Sequence, residues 1–392
     1  MTTARGFWVG VLVFSGALSL AGCGGSDHEA SGGGSSGGGS GRGSGGGGSG
    51  GGAGLLGGSG GGSSGGNAQG APSGRTLWTT SLLLPALRGI DTGSHEVVLD
   101  VDLVSISESS VGVNALAVAD DLVWVARDDG VLTAVDREQK KLVGKIDLTP
   151  YGEDETIDLY HVAAGKGFAV TSPEYGQQPP IVRVEAPALD VVKQADILDG
   201  VSYPTGILYD GSDIWIMQWN GIELVRADPV TLDVRARVEL GQDPNDPNAF
   251  GPYYGYGYMA DSGDTLWVID TSTVRLLSVD KKTLTPSVVD DLSDLTDFQE
   301  PLEFEGNSRG AFLALGDQNV IVRFDPHTGE RLKTYDFSKD GGLGLMAVGK
   351  DNLYVTVNAG FTYDTREIDI ETGRVLQIIH SDLPISAIAV QK

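Results

Sequence analysis

The chain of 392 residues contains one cysteine, Cys23. With no second cysteine there is no internal disulfide, and the folded part has neither a thiolate zinc site nor a cysteine nucleophile. Histidine is nearly as scarce. Of five, His28 falls in a low-complexity tract, which leaves His95, His161, His327 and His380. They form no cluster at metal-ligand spacing, and no Gly-Lys-Ser or Gly-Lys-Thr phosphate loop occurs. Basic residues are in deficit: 27 Lys and Arg face 53 Asp and Glu, a net charge of −26. In residues 1–74 Arg5 and Arg42 cancel Asp27 and Glu29, so all of the imbalance lies beyond them. Such a field repels phosphates, which argues against nucleic acid or anionic lipid surfaces as partners and leaves solubility, cations or metal ions as its use. Helical periodicity is missing as well.

What is present is a repeat. Trp78, Trp124, Phe168, Trp215, Trp267, Phe312 and Tyr354 recur at spacings of 46, 44, 47, 52, 45 and 42 residues. Each lies in an alternating apolar strand and is followed by a second such strand closed by an acid: Asp91, Asp136, Glu185, Asp228, Asp280, Asp325 and Asp369. The best-formed unit predicts four strands, 115–118, 122–126, 131–136 and 142–148, separated by polar turns. The third turn reads Asp325-Pro326-His327-Thr328-Gly329 and Asp369-Ile370-Glu371-Thr372-Gly373, where Asp and Thr can bond the local backbone and Gly can take a left-handed residue. The repeated acids are therefore read as structural. Six complete units begin near Asn114, His161, Thr205, Gly257, Leu302 and Gly344. The ends complement one another: 76–103 lacks an innermost strand, and 385–391 is a lone strand. Placing the last strand inside the first three predicts an all-β, seven-bladed β-propeller whose ring is tied shut. Six blades with a separate N-terminal hairpin is the competing arrangement.

Before the repeats the chain changes character. Met1 to Arg5 is followed by an apolar run of 14 residues, 7–20, too short to span a bilayer as a helix, and then by Leu20-Ala21-Gly22-Cys23. These residues resemble the signal peptide and lipobox of bacterial lipoproteins. The resemblance implies cleavage before Cys23, lipidation of Cys23, and a cell-envelope address. Gly24, where an acid would mark inner-membrane retention, implies the outer membrane. Within residues 31–70, Gly and Ser fill 33 of 40 positions. A tract of this composition buries no core and reaches roughly 40 Å as a flexible coil. The predicted organisation is a signal peptide over 1–22, a lipidated tether over 23–74 and a propeller over 75–392.

The units Leu122-Val123-Trp124-Val125, Leu266-Trp267-Val268 and Leu353-Tyr354-Val355-Thr356-Val357 resemble the YVTN type of propeller repeat. That resemblance covers 76–391 and implies a secreted or surface-attached binding scaffold without naming a ligand; the expected partner is a protein, peptide or glycan, with membrane contact only through the lipid. Ligand candidates are sought where blade-to-blade connections and second-to-third-strand loops gather around the channel. They are His161, Glu174, Tyr175, Trp219, Asn220, Tyr253, Tyr254, Tyr256, Glu303 and Asn358, with Arg127, Asp128, Asp270, Asp317 and Asn319 on the same inferred face. Tyrosines spaced by glycines over 253–258 suit recognition at low entropic cost, or alternatively a local core over their own blade. Asp243, Asn245, Asp246 and Asn248 offer oxygens suited to calcium but lack the glycine and distal glutamate of an EF-hand, so no cofactor is implied. The alternative function is a metal-assisted lyase or lactonase, as in some propeller enzymes, which would need His161, Glu174, Glu303 and Asn358 to converge on one ion.

Overall fold

The computed structural model describes residues 75–81, 86–103, 111–119, 121–151, 158–172, 180–198, 204–218, 223–240, 258–270, 274–295, 303–316, 318–359, 362–381 and 383–390. The signal peptide and tether expected over 1–74 lie outside them. The described residues form seven four-stranded antiparallel sheets. The sheets are the blades of a seven-bladed β-propeller, numbered here in ring order from the one that closes it. In blade 1 the order is Ile385–Val390, Thr76–Ser81, Ala86–Asp91, Val97–Asp102, with Leu77 paired to Val390 and Thr79 to Ile388. The last strand thus supplies the missing inner strand, as the ends of the sequence imply.

The inner strands of blades 2 to 7 are Val113–Val118, Val162–Gly165, Pro204–Tyr209, Tyr258–Asp261, Glu303–Asn307 and Gly342–Val348. Each touches the inner strand before and after it, and Gly342–Val348 touches Ile385–Val390, so the ring is continuous.

The core lies between blades. Alternation along an inner strand sends Leu116 and Val118 to the cluster shared with blade 1, and Ala115 and Ala117 to the cluster shared with blade 3. Every seam has such a cluster, and the repeated aromatic anchors it: Trp78 and Trp124 are 2% and 0% exposed, Trp215 and Trp267 0% each, Phe312 0% and Tyr354 3%. Fully burying a ring of this size contributes on the order of 3 kcal/mol. Outer strands bury alternate residues at most, which leaves Val97, Val288 and Leu332 exposed.

The turns between third and fourth strands use one device. Backbone N–H groups of residues two and three positions on donate to the carboxylate of the acid, as Val230 and Thr231 do to Asp228 (2.7 and 2.8 Å) and His327 and Thr328 to Asp325 (2.9 and 2.8 Å). Asp91 and Asp280 accept in the same way, and Asp136 and Asp369 accept from the N–H three positions on, of Gln139 and Thr372. Glu185 alone departs, its carboxylate pairing with Arg183. Four residues after the acid the backbone turns left-handed in all seven blades, at His95, Lys140, Leu189, Leu232, Leu284, Gly329 and Gly373. Gly329 and Gly373 take the left-handed residue as the sequence of their turns implies; the other five blades use a larger residue. Leu189 and Leu232 offset the strain by burying their side chains at 7% and 1% exposure.

Candidate functional site

The two faces differ in how their connections are built. On the turn face, hairpins between first and second strands take two to four residues, such as 166–167 and 210–213. On the other face, where inner strands begin, the blade-to-blade connection 240–257 has 18 residues, 148–161 has 14, and the second-to-third-strand connection 172–180 has 9. Three candidates stand on that face, around the channel mouth. His161 directly precedes the inner strand of blade 3, and its carbonyl accepts a 2.5 Å hydrogen bond from Thr171 Oγ1. Glu303 is the first residue of the blade 6 inner strand. Asn358 pairs with Gly342, the first residue of the blade 7 inner strand. Glu174, Tyr175, Trp219, Asn220, Tyr253, Tyr254 and Tyr256 lie outside the described residues, as do Cys23 and the Asp243 to Asn248 oxygens.

His161, Glu303 and Asn358 belong to blades 3, 6 and 7, and Glu174 lies outside the described residues. Among the described residues no group of three or more His, Cys, Asp or Glu is placed to hold a metal. Their electrostatics are those of enclosed groups. Burial lowers the His161 imidazole to about 4, so it is neutral at pH 7. Burial, with the Glu305 charge two residues along, raises Glu303 to about 8, so it holds its proton at pH 7. Glu305 accepts a 3.1 Å hydrogen bond from the Val348 N–H of the neighbouring inner strand.

Sequence reasoning missed a second feature of the mouth. Register slips near the start of four inner strands: between Val113 and Ala115, between Pro204 and Gly206, between Leu343 and Met346, and opposite Thr80 and Ser81, where Ser386 is passed over. The extra residues include Asn114, Thr205 and Ser386. Ser386 shares a 2.9 Å hydrogen bond with Thr80 Oγ1. Asn114 Nδ2 and Thr205 Oγ1 are buried with no hydrogen-bond partner. Each such group costs about 1–3 kcal/mol. The available signal was a polar residue second in an otherwise apolar or small inner strand, as in Val113-Asn114-Ala115-Leu116.

Other candidates belong to the framework. Arg127, 2% exposed, pairs with Asp129 and donates through Nη1 to Leu103 O of blade 1 at 3.2 Å. Asp128 accepts from the Gly112 N–H at 2.8 Å, and Asn319 Oδ1 from the Leu343 N–H of the next blade at 2.7 Å. Burial raises the Asp128 and Asp158 carboxyls, with neighbouring acids reinforcing the shift. Gly306-Asn307-Ser308-Arg309-Gly310 has the spacing of a hydrolase nucleophile elbow, but it joins strand to strand on the turn face, where the Asn307 side chain accepts from the Arg309 N–H at 2.7 Å. A nucleophile elbow needs a strand-to-helix turn.

No family model matches the sequence, and no curated protein does. Solved structures do match. BamB from Moraxella catarrhalis superposes with a TM-score of 0.51 at 11% identity, over 79% of this chain and 89% of that one. A protein of unknown function from Desulfotomaculum acetoxidans gives 0.56 at 13% identity, over 80% and 98%. A catalytically inactive virginiamycin B lyase from Staphylococcus aureus, solved with quinupristin, gives 0.53 at 15% identity, over 71% and 86%. At these identities the likeness concerns architecture: the chain has the β-propeller fold that these proteins share.

Proposed function

We propose that this protein is an exported, lipid-anchored β-propeller of the YVTN repeat type that binds a protein, peptide or glycan through the face at which its inner strands begin. The observation that carries the reading is the contrast between the faces, with long and mutually different connections on one and short repeated turns on the other. Binding residues concentrate on such connections because the sheets beneath hold their ends in place. Tyr253, Tyr254 and Tyr256 in the longest of them, with Trp219, Asn220, Glu174 and Tyr175 in neighbouring ones, are the contact residues this reading assigns beside His161, Glu303 and Asn358. Cys23 would hold the chain to the outer membrane of a bacterial envelope, with the Gly and Ser tract as spacer.

Two measurements test it. Cys23→Ser in the full chain is expected to move the protein from the membrane to the soluble envelope fraction; an unchanged distribution would remove the anchor from the reading. In-cell crosslinking from a photoreactive residue at Tyr254 is expected to yield a discrete adduct that Trp219→Ala weakens, whereas crosslinking only from positions on the turn face would overturn the face assignment. The metal-assisted lyase or lactonase reading draws on Glu303, a carboxyl that keeps its proton at neutral pH and could act as an acid. It requires turnover abolished by EDTA and by Glu303→Gln.

A further inference from the structure

We propose that the channel mouth carries a site for a neutral saccharide, formed where Asn114, His161 and Thr205 stand at the starts of three consecutive inner strands. The proposal rests on the reading of this face as the ligand face and gives that face a ligand chemistry.

Position is the first argument. Asn114 follows Val113, which pairs with Arg127, the last residue of its second strand. Thr205 follows Pro204, which pairs with Gln218, again the last. His161 precedes Val162, which pairs with Thr171, also the last. The three residues therefore lie within a few residues of one level, on inner strands that touch their neighbours. The second argument is backbone irregularity: Asn114 and Thr205 are the extra residues of register shifts, and bulges recur beside binding sites because they re-aim a side chain. The third is that all three side chains lack partners among the described residues. Asn114 Nδ2 and Thr205 Oγ1 are buried and unbonded, and the enclosed imidazole of His161 owes its shift to burial alone.

The set selects its ligand by what its members share. A carboxamide, a hydroxyl and a neutral imidazole can each donate and accept, and none brings a full charge. A carboxylate or phosphate would enter this arc beside the acids Asp128 and Asp158, which is unfavourable. A peptide presents donors and acceptors in fixed alternation and ends in charges. Sugar hydroxyls donate and accept at once, as these three groups do.

The test titrates the full chain in detergent with N-acetylglucosamine, galactose and cellobiose, using glucuronate and tetraglycine as counter-probes, by calorimetry. At least one neutral sugar is expected to bind. Thr205→Val keeps the side-chain shape and is expected to weaken that sugar at least tenfold while raising the unfolding midpoint of the ligand-free protein; Asn114→Leu is expected to do the same. A hydroxyl kept for the fold would lower the midpoint instead. Absence of sugar binding, unchanged affinity in Thr205→Val, or tighter binding of glucuronate or tetraglycine overturns the saccharide site. A discrete crosslink at Tyr254 alongside any of these overturning results would sink the sugar site alone, and its absence would sink the broader scaffold reading with it.

Discussion

The turn face and the mouth face are built from the same 28 strands of the described residues, yet the acid turn recurs on one in six of seven blades while the blade-to-blade connections of the other differ in length at every seam. On the turn face six acids accept backbone N–H groups, and the chain turns left-handed at one fixed position in all seven blades. On the mouth face Asp128 and Asn319 accept backbone N–H groups from neighbouring segments, but Glu303, Asn114 and Thr205 are half-buried without such partners. Polar groups that close turns stabilise the ring, and polar groups left unbonded at its mouth cost stability, so the two faces should answer the same perturbation with opposite sign.

Removal of residues 385–392 carries the largest expected effect, because it strikes both faces together. Ala387, Ile388 and Val390 leave two seam clusters, and blade 1 loses its inner strand. Loss of the cooperative thermal transition in circular dichroism is expected; a truncated chain that melts as sharply as the full one would mean the ring does not depend on this closure.

Next in size is the dependence on pH. Glu303 has a folded value raised from 4.5 to about 8, so the native state holds a proton that the unfolded chain releases. Stability should fall as pH rises from about 4.5 to 8, by no more than about 1.4 kcal/mol per pH unit, and Glu303→Gln should flatten that slope. The turn acids behave in reverse. Backbone hydrogen bonds from Thr328 and His327 lower Asp325, and those from Thr231 and Val230 lower Asp228. Their contribution is present above the unfolded value of 3.8 and is lost as pH falls through the lowered folded values. His161, lowered from 6.5 to about 4, costs stability as pH falls through that interval. Denaturant unfolding measured from pH 3 to 9 separates these signs.

A smaller effect compares single residues. Asp325→Ala removes the acceptor of two N–H groups and should cost about 1–2 kcal/mol, while Asn358→Ala on the mouth face should change stability by less than about 0.5 kcal/mol. An effect of the same size concerns the left-handed position. Lys140 is exposed at φ 53°, and Lys140→Gly should stabilise by about 1 kcal/mol. Leu232→Gly, at φ 58° and 1% exposure, should instead destabilise by about 2 kcal/mol, because the lost burial outweighs the relieved backbone. If both variants stabilise, the buried leucine is not what offsets the strain.

The sequence by itself determined the repeat, the complementary ends and the structural role of the repeated acids; the pairing of Ile385–Val390 with Thr76–Ser81 then decided for seven blades over six. The first three follow from local rules: strand alternation has period 2, Trp78, Trp124, Phe168, Trp215, Trp267, Phe312 and Tyr354 mark one strand of each unit, and an Asp two or three residues ahead of free N–H groups closes a turn wherever it occurs. It also placed His161, Glu303 and Asn358 on one face, because strand direction alone sets which ends gather. Tertiary structure decided which polar groups are left without partners. Arg127 and Asn319 look like site residues in sequence, but the neighbouring blade supplies Leu103 O to one and the Leu343 N–H to the other. Asn114 and Thr205 look unremarkable in sequence, and their unbonded state arises only when a register shift removes them from the ladder while adjoining strands close over them. Burial and partnership are set by chain segments of neighbouring blades, 24 residues apart for both Arg127 with Leu103 and Asn319 with Leu343, and no local pattern carries that information.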